Sequence, residues 1–193
     1  MWRDAECPEC NSHPRHRAFF LWLSREYGLS QREGIALVFA PERPLAAIWE
    51  NAPGLKIIRT DIEHSRGVNL LADIQRLPFA TDTFDLVWCH HVLTQVPDDR
   101  IAISELHRIL RPETGELIVS AAQAPGTRTR EFGGPNNRFM GFWRLYGDDF
   151  PERLAEGGLD VCPAQYRVSE EDCRRYGLVS DEVFFICTKP IVS

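Results

Sequence analysis

The chain is most constrained by residues 34–121, where short apolar runs follow one another and each ends on a polar or acidic residue. The stretch begins GIALVFAPE, passes IIRTDIE and NLLADIQRLPF, and ends FDLVWCHHVL and GELIVSA. Runs this short and this apolar read as strands buried on both faces, the condition of a parallel sheet covered by helices. In such sheets small molecules bind at the C-terminal edges of the strands.

The segments between the strands fit that scheme. Arg17 to Tyr27 reads as a helix stopped by Gly28, and Pro44 to Asn51 as one opened by proline and closed before Pro53-Gly54. Asp98 or Asp99 can cap a helix running to Leu110, with Ile101, Ile103, Leu106, Ile109 and Leu110 for its buried side. Asp148 to Gly158 reads as a further helix, and Leu159–Val168 with Val183–Thr188 as an antiparallel pair. The expected fold is a Rossmann-like, doubly wound, mostly parallel α/β sheet with that pair at its C-terminal end, one domain over residues 1–193. The link from Asp61 to Asn69 is too short for an ordinary helical crossover. Either its helix is missing or the third strand is rudimentary. Residues 122–147, rich in Gly, Pro, Asn and Arg, read as a loop or lid, and residues 1–30 as a Cys/Arg segment followed by the first helix.

Bulk properties remove several function classes. A net charge of −6 argues against phosphate-driven nucleic-acid binding. No apolar run has the length of a membrane span, and MWRDAECPEC has no signal-peptide pattern, so a cytoplasmic protein is expected. Of the six cysteines only Cys7 and Cys10 have motif spacing. With His13 and His16 they would crowd four zinc ligands into ten residues, so free thiols and no metal are expected.

The turn after the first strand, Phe39-Ala40-Pro41-Glu42, is informative because it contains no glycine. A G-x-G-x-x-G turn lets backbone amides approach a pyrophosphate, and Pro41 removes one amide altogether. This argues strongly against NAD or FAD chemistry. Asp61 lies 22 residues after Phe39, at the end of the second strand, where an acid accepts from ribose hydroxyls. Asp73, ending the third strand, can accept from an adenine amino group. S-adenosyl-L-methionine (SAM) needs these contacts but carries no pyrophosphate. Glu42 can pair with its ammonium, and an arginine with its carboxylate.

The run FAPE, TDIE and LLADIQRLPFATDTFDLVWCHHVLTQVPDDRIAISELHRILRPETGELIVSA resembles class I SAM-dependent methyltransferases. It is closest to a bacterial subgroup with a C-P-x-C-x-S-x-x-R-H-R opening, here CPECNSHPRHR, and F-A-P-E in place of the glycine loop. The resemblance spans roughly residues 7 to 160. It implies a seven-stranded sheet with Phe39, Ala40, Pro41 and Glu42 around the methionine and ribose. It implies Asp61 and Ile62 at the ribose, Asp73 and Ile74 at the adenine, and Cys89, His90 and His91 near the sulfonium. One of Arg15, His16 and Arg17, with Arg17 the assigned residue, meets the SAM carboxylate or roofs the cleft. Relatives often read H-V-L-E-H-V where this chain has HVLTQV, which weakens an acid–base role there.

The expected reaction is methyl transfer to a small-molecule acceptor. His90, His91 and Tyr146 are the catalytic candidates, since histidine suits proton removal near neutral pH. Arginines and aromatics of the 122–147 segment would suit an anionic or flat acceptor. A SAM-fold binding or partner protein that no longer methylates is the alternative. A monomer or homodimer is expected.

Overall fold

The computed structural model describes residues 6–65, 67–178 and 182–191. The first five residues of the N-terminal segment, and Arg66 within the short 61–69 link, lie outside the described residues.

The central sheet takes its strands from the expected places. They are β1 (Gly34–Phe39), β2 (Leu55–Asp61), β3 (Leu70–Leu71), β4 (Leu86–His90) and β5 (Glu116–Ser120). Near the C-terminus follow β8 (Asp160–Tyr166) and β9 (Glu182–Thr188). Their spatial order is β3-β2-β1-β4-β5-β9-β8, with β9 antiparallel to both neighbours. The order reverses between β1 and β4, which creates a crevice at their C-terminal ends. The third strand is the rudimentary one of the two alternatives, two residues paired to Thr60 and Asp61.

Alternate residues of the buried strands feed two cores. Leu37, Phe39, Val87, Cys89, Leu117 and Val119 face one side, packed with Ile103, Leu106, Phe150 and Leu154. Those partners come from α3 (Asp99–Ile109) and α4 (Phe150–Glu156). Ala36, Val38, Leu86, Trp88 and Ile118 face the other side, against α1 (Pro14–Arg25) and α2 (Ala46–Glu50). Asp98 is the cap of α3, its side chain accepting from the amides of Arg100 and Ile101. Ile101 corrects an expectation: it is 48% exposed, on the solvent side of α3.

Three further differences have physical reasons. α1 starts at Pro14, not Arg17, because proline fits the first helical turn, where its missing amide costs nothing. α5 (Glu170–Tyr176) was not anticipated, although Ser169 caps it by accepting the Asp172 amide and Gly177 ends it in a left-handed conformation. The 122–147 segment is not a loop. It holds an antiparallel pair, β6 (Arg130–Asn136) and β7 (Phe142–Leu145), joined by a 3-10 turn. Irregular pairing within β6, which contains Gly-Gly-Pro, hides the strand from pattern reading.

Candidate functional site

A cleft of about 350 Å³ opens at the C-terminal ends of β1, β2, β3 and β4. Phe39, Ala40 and Glu42 come from the turn after β1, and Asp61 and Ile62 from the end of β2. Ala72 to Gln75 follow β3, and His90, His91 and Val92 follow β4. Gln95, Val96 and Pro97 form a loop wall, Arg15 enters from the first turn of α1, and Met140 and Phe142 come from the hairpin. Two non-glycine residues bend sharply at its floor, Ala40 with φ 44° and His91 with φ 56°. Such left-handed residues cost energy and gather at functional sites.

The acidic residues sit in different settings. Asp61 accepts from the amide of Ile62 at 2.7 Å. Asp73 folds its carboxylate onto the amide of Gln75 at 2.9 Å, an Asx turn that fixes the segment after β3. Glu42 lies under a cluster of imidazoles. His16 Nδ1 accepts the backbone N–H of His13 at 3.1 Å, so the ring proton is on Nε2, which donates to Glu42 Oε1 at 2.7 Å. Arg15 approaches the same oxygen at 3.9 Å. His90 Nδ1 is hydrogen-bonded to Ser120 Oγ, directly opposite it in the sheet. His90 Nε2 and Glu42 Oε2 lie 3.5 Å apart, and both are buried without a hydrogen-bond partner. Buried polar atoms left unpaired are costly.

Ligating atoms of His16, Glu42 and His90 lie within 4.8 Å of one another. A metal on His16 Nε2 would need the ring proton on Nδ1, where the His13 N–H already points. His16 is thereby kept as a donor to Glu42, which leaves Glu42 Oε2 as the acceptor this set can offer to a hydrogen-bond donor such as an ammonium.

Burial sets the protonation of the histidines. It pushes His90 well below the usual imidazole range, helped by the positive field of His91, Arg15 and His16. It lowers His91 to about 4, with Arg15 adding to the effect and Glu42 opposing it. Both rings are neutral at physiological pH. The unfolded chain takes up protons here below about pH 6.5 while the folded protein does not, so folding stability rises with pH across this window. The melting temperature is expected to fall as pH drops from about 6.5 to about 4. In His91→Gln the slope over that window, read by thermal melts in matched buffers, becomes shallower.

The cleft brings together Phe39, Ala40, Glu42, Asp61, Ile62, Asp73, Ile74, His90 and His91. Four other expected residues stand apart. Pro41 shapes the turn without lining the wall. Cys89 is wholly buried on the opposite face of β4 from His90, and burial raises its thiol pKa out of reach of neutral pH. Arg17 points to the backbone, donating to the carbonyls of Ser12, Tyr176 and Gly177. Arg15, two residues earlier, is the arginine in the cleft. Tyr146 as a catalytic residue is corrected by its surroundings. It is fully buried, its hydroxyl donates to Asp99 at 2.7 Å, and burial beside that carboxylate raises its pKa. Ser120 was missed, although a serine closing an apolar strand at the same edge as Asp61 was a usable signal.

Residues 44–119 match the family model described as a methyltransferase domain. The match covers less than half of the chain. A 57-residue segment is 37% identical to methyltransferase GfsG of Streptomyces halstedii, covering 30% of this chain and 20% of that protein. The chain thus matches about a fifth of that curated relative. An S-adenosylmethionine-dependent methyltransferase from Mesorhizobium loti superposes with a TM-score of 0.63 at 15% identity, over 87% of this chain and 96% of that one. The [4+2]-cyclase SpnF superposes with a TM-score of 0.64 at 16% identity, over 98% of this chain and 85% of that one. The fold is the Rossmann-like fold of class I methyltransferases. Among the described residues, no helix is long and apolar enough to cross a membrane.

Proposed function

We propose that the chain is a SAM-dependent methyltransferase acting on a small-molecule acceptor. The observation that carries this reading is Glu42 Oε2, a buried carboxylate oxygen without a hydrogen-bond partner, 3.5 Å from the equally unpartnered His90 Nε2 in a cleft that also presents Asp61 and Asp73. An ammonium donating to Glu42 Oε2 would satisfy it. Arg15, at the mouth, is placed for the neighbouring carboxylate. Asp61 takes the ribose hydroxyls, and Asp73 with Ile74 takes the adenine. Bound SAM supplies an electrophilic methyl group on its sulfonium.

The protein's own part is orientation and partial exclusion of water. His90 and His91, neutral at the cleft floor, can accept a hydrogen bond, but the depressed basicity of His91 makes it a weak proton acceptor at the acceptor atom. The reading therefore relies on acceptors that are already nucleophilic or need only positioning. Met140, 80% exposed at the hairpin turn, and Phe142 supply apolar surface on the acceptor side.

A silent SAM-binding protein is the second reading. The likeness to a cyclase favours keeping it, since this fold carries other chemistry there. Incubation with methyl-labelled SAM and a panel of anionic and aromatic acceptors separates the two. Transfer of label to any acceptor, with release of S-adenosylhomocysteine (SAH), is expected. Tight SAH binding with no transfer across the panel favours the silent protein.

A further inference from the structure

We propose that Arg144 is a positioning residue of the cleft, whose guanidinium holds the 93–97 loop in the shape that forms one of its walls. The proposal rests on the cofactor reading above for its consequence, but not for its geometry. Arg144, on β7, is 3% exposed. Nη1 donates to the carbonyls of Leu93 at 2.8 Å and Val96 at 2.7 Å, and Nη2 to that of Pro97 at 2.8 Å. Three carbonyls of one irregular loop thus converge on one side chain. Only a planar fork of donors can serve them together.

The charge is itself held. Nε meets Glu131 Oε2 at 3.1 Å and lies 3.6 Å from Asp99 Oδ2. Arg153 bridges the same two carboxylates, at 2.8 Å to Glu131 and 3.5 Å to Asp99. The backbone adds a further tie, Trp143 N–H to the Thr94 carbonyl at 2.8 Å. The far side of this loop presents Gln95, Val96 and Pro97 to the cleft, beside Phe142 of the same strand. The hairpin is therefore a fixed buttress rather than a lid. The loop carries few backbone hydrogen bonds of its own, chiefly Gln95 N–H to the Val92 carbonyl, so its shape is imposed from β7.

Two measurements on Arg144→Lys and Arg144→Ala test this. The first is amide hydrogen exchange of residues 93–96 without ligand, which does not depend on what the cleft binds. Faster exchange confined to that loop and the hairpin is expected in Arg144→Lys. Unchanged exchange overturns the proposal. The second is SAH affinity, set against Leu29→Ala, a variant in the core on the opposite side of the sheet that lowers stability by a different route. Affinity is expected to fall at least about tenfold in the Arg144 variants and to stay near wild type in Leu29→Ala. Millimolar guanidinium, but not equal sodium chloride, should restore part of it in Arg144→Ala. Should that variant not fold, Arg144→Lys carries the test. Equal losses in Arg144→Lys and Leu29→Ala would reduce Arg144 to a stability residue. Failure of the wild type to bind SAH would instead sink the cofactor reading, leaving exchange to decide the clamp.

Discussion

Asp61→Ala is expected to cost the protein at least ~100-fold in affinity for SAH while leaving its melting temperature nearly unchanged. The carboxylate stands at the end of β2 with its side chain accepting only from the adjacent Ile62 amide in the hydrogen bonds described. The backbone pairing around it, Asp61 opposite Leu71 and the Ala72 amide to the Asp61 carbonyl at 3.0 Å, does not involve the side chain. Removing it therefore spares the sheet. What is lost is an ionised acceptor for two vicinal hydroxyls, each such bond being worth roughly 1.5–3 kcal/mol. Asp61→Asn, which keeps one acceptor and loses the charge, should fall between. Titration calorimetry of the three proteins, with melts as the control, checks the ordering. Full affinity in Asp61→Ala would remove the ribose assignment.

Asp99→Ala is expected to have the largest effect on stability. Asp99 is 2% exposed, between Arg144 at 3.6 Å, Arg153 at 3.5 Å and the Tyr146 hydroxyl at 2.7 Å. Its loss leaves the Tyr146 phenol without its acceptor and the two guanidinium groups with Glu131, half exposed, as the carboxylate they still share. Breaking a buried pair in this way costs roughly 3–5 kcal/mol, which in a chain of this size lowers the melting temperature by roughly 6–20 °C. Tyr146→Phe removes one hydrogen bond and should cost only about 1–2 kcal/mol. Thermal and urea denaturation of both variants measures the contrast. Equal, small losses would mean that the cluster contributes little to the folded state.

The contrast between the sheet edge and the hairpin explains what the sequence could reveal. Buried parallel strands are written in continuous apolar runs, so their ends are legible: Glu42, Asp61 and Asp73 are read from those ends, and His90 comes with the family resemblance. The glycine-free turn bends without the residue that usually allows it: Ala40 adopts φ 44°. Tyr146 and Arg144 are illegible because most of their partners, the loop carbonyls and Asp99, lie about 50 residues away in the chain. An arginine in a polar segment reads as a solvated charge, and only the fold shows three carbonyls converging on it. Arg15 and Arg17 illustrate the finer limit. The start of α1 at Pro14 decides which of them faces the cleft, and pattern reading had placed that start three residues later.

The central claim is that the cleft lined by Glu42, Asp61, Asp73 and His90 is a SAM site. Its most direct measurement is a calorimetric titration of the wild-type protein with SAH, SAM and NAD at neutral pH. One site per chain for SAH and SAM, with no heat from NAD, is the predicted result. Absence of SAH binding, or saturable binding of NAD at the same site, would contradict it.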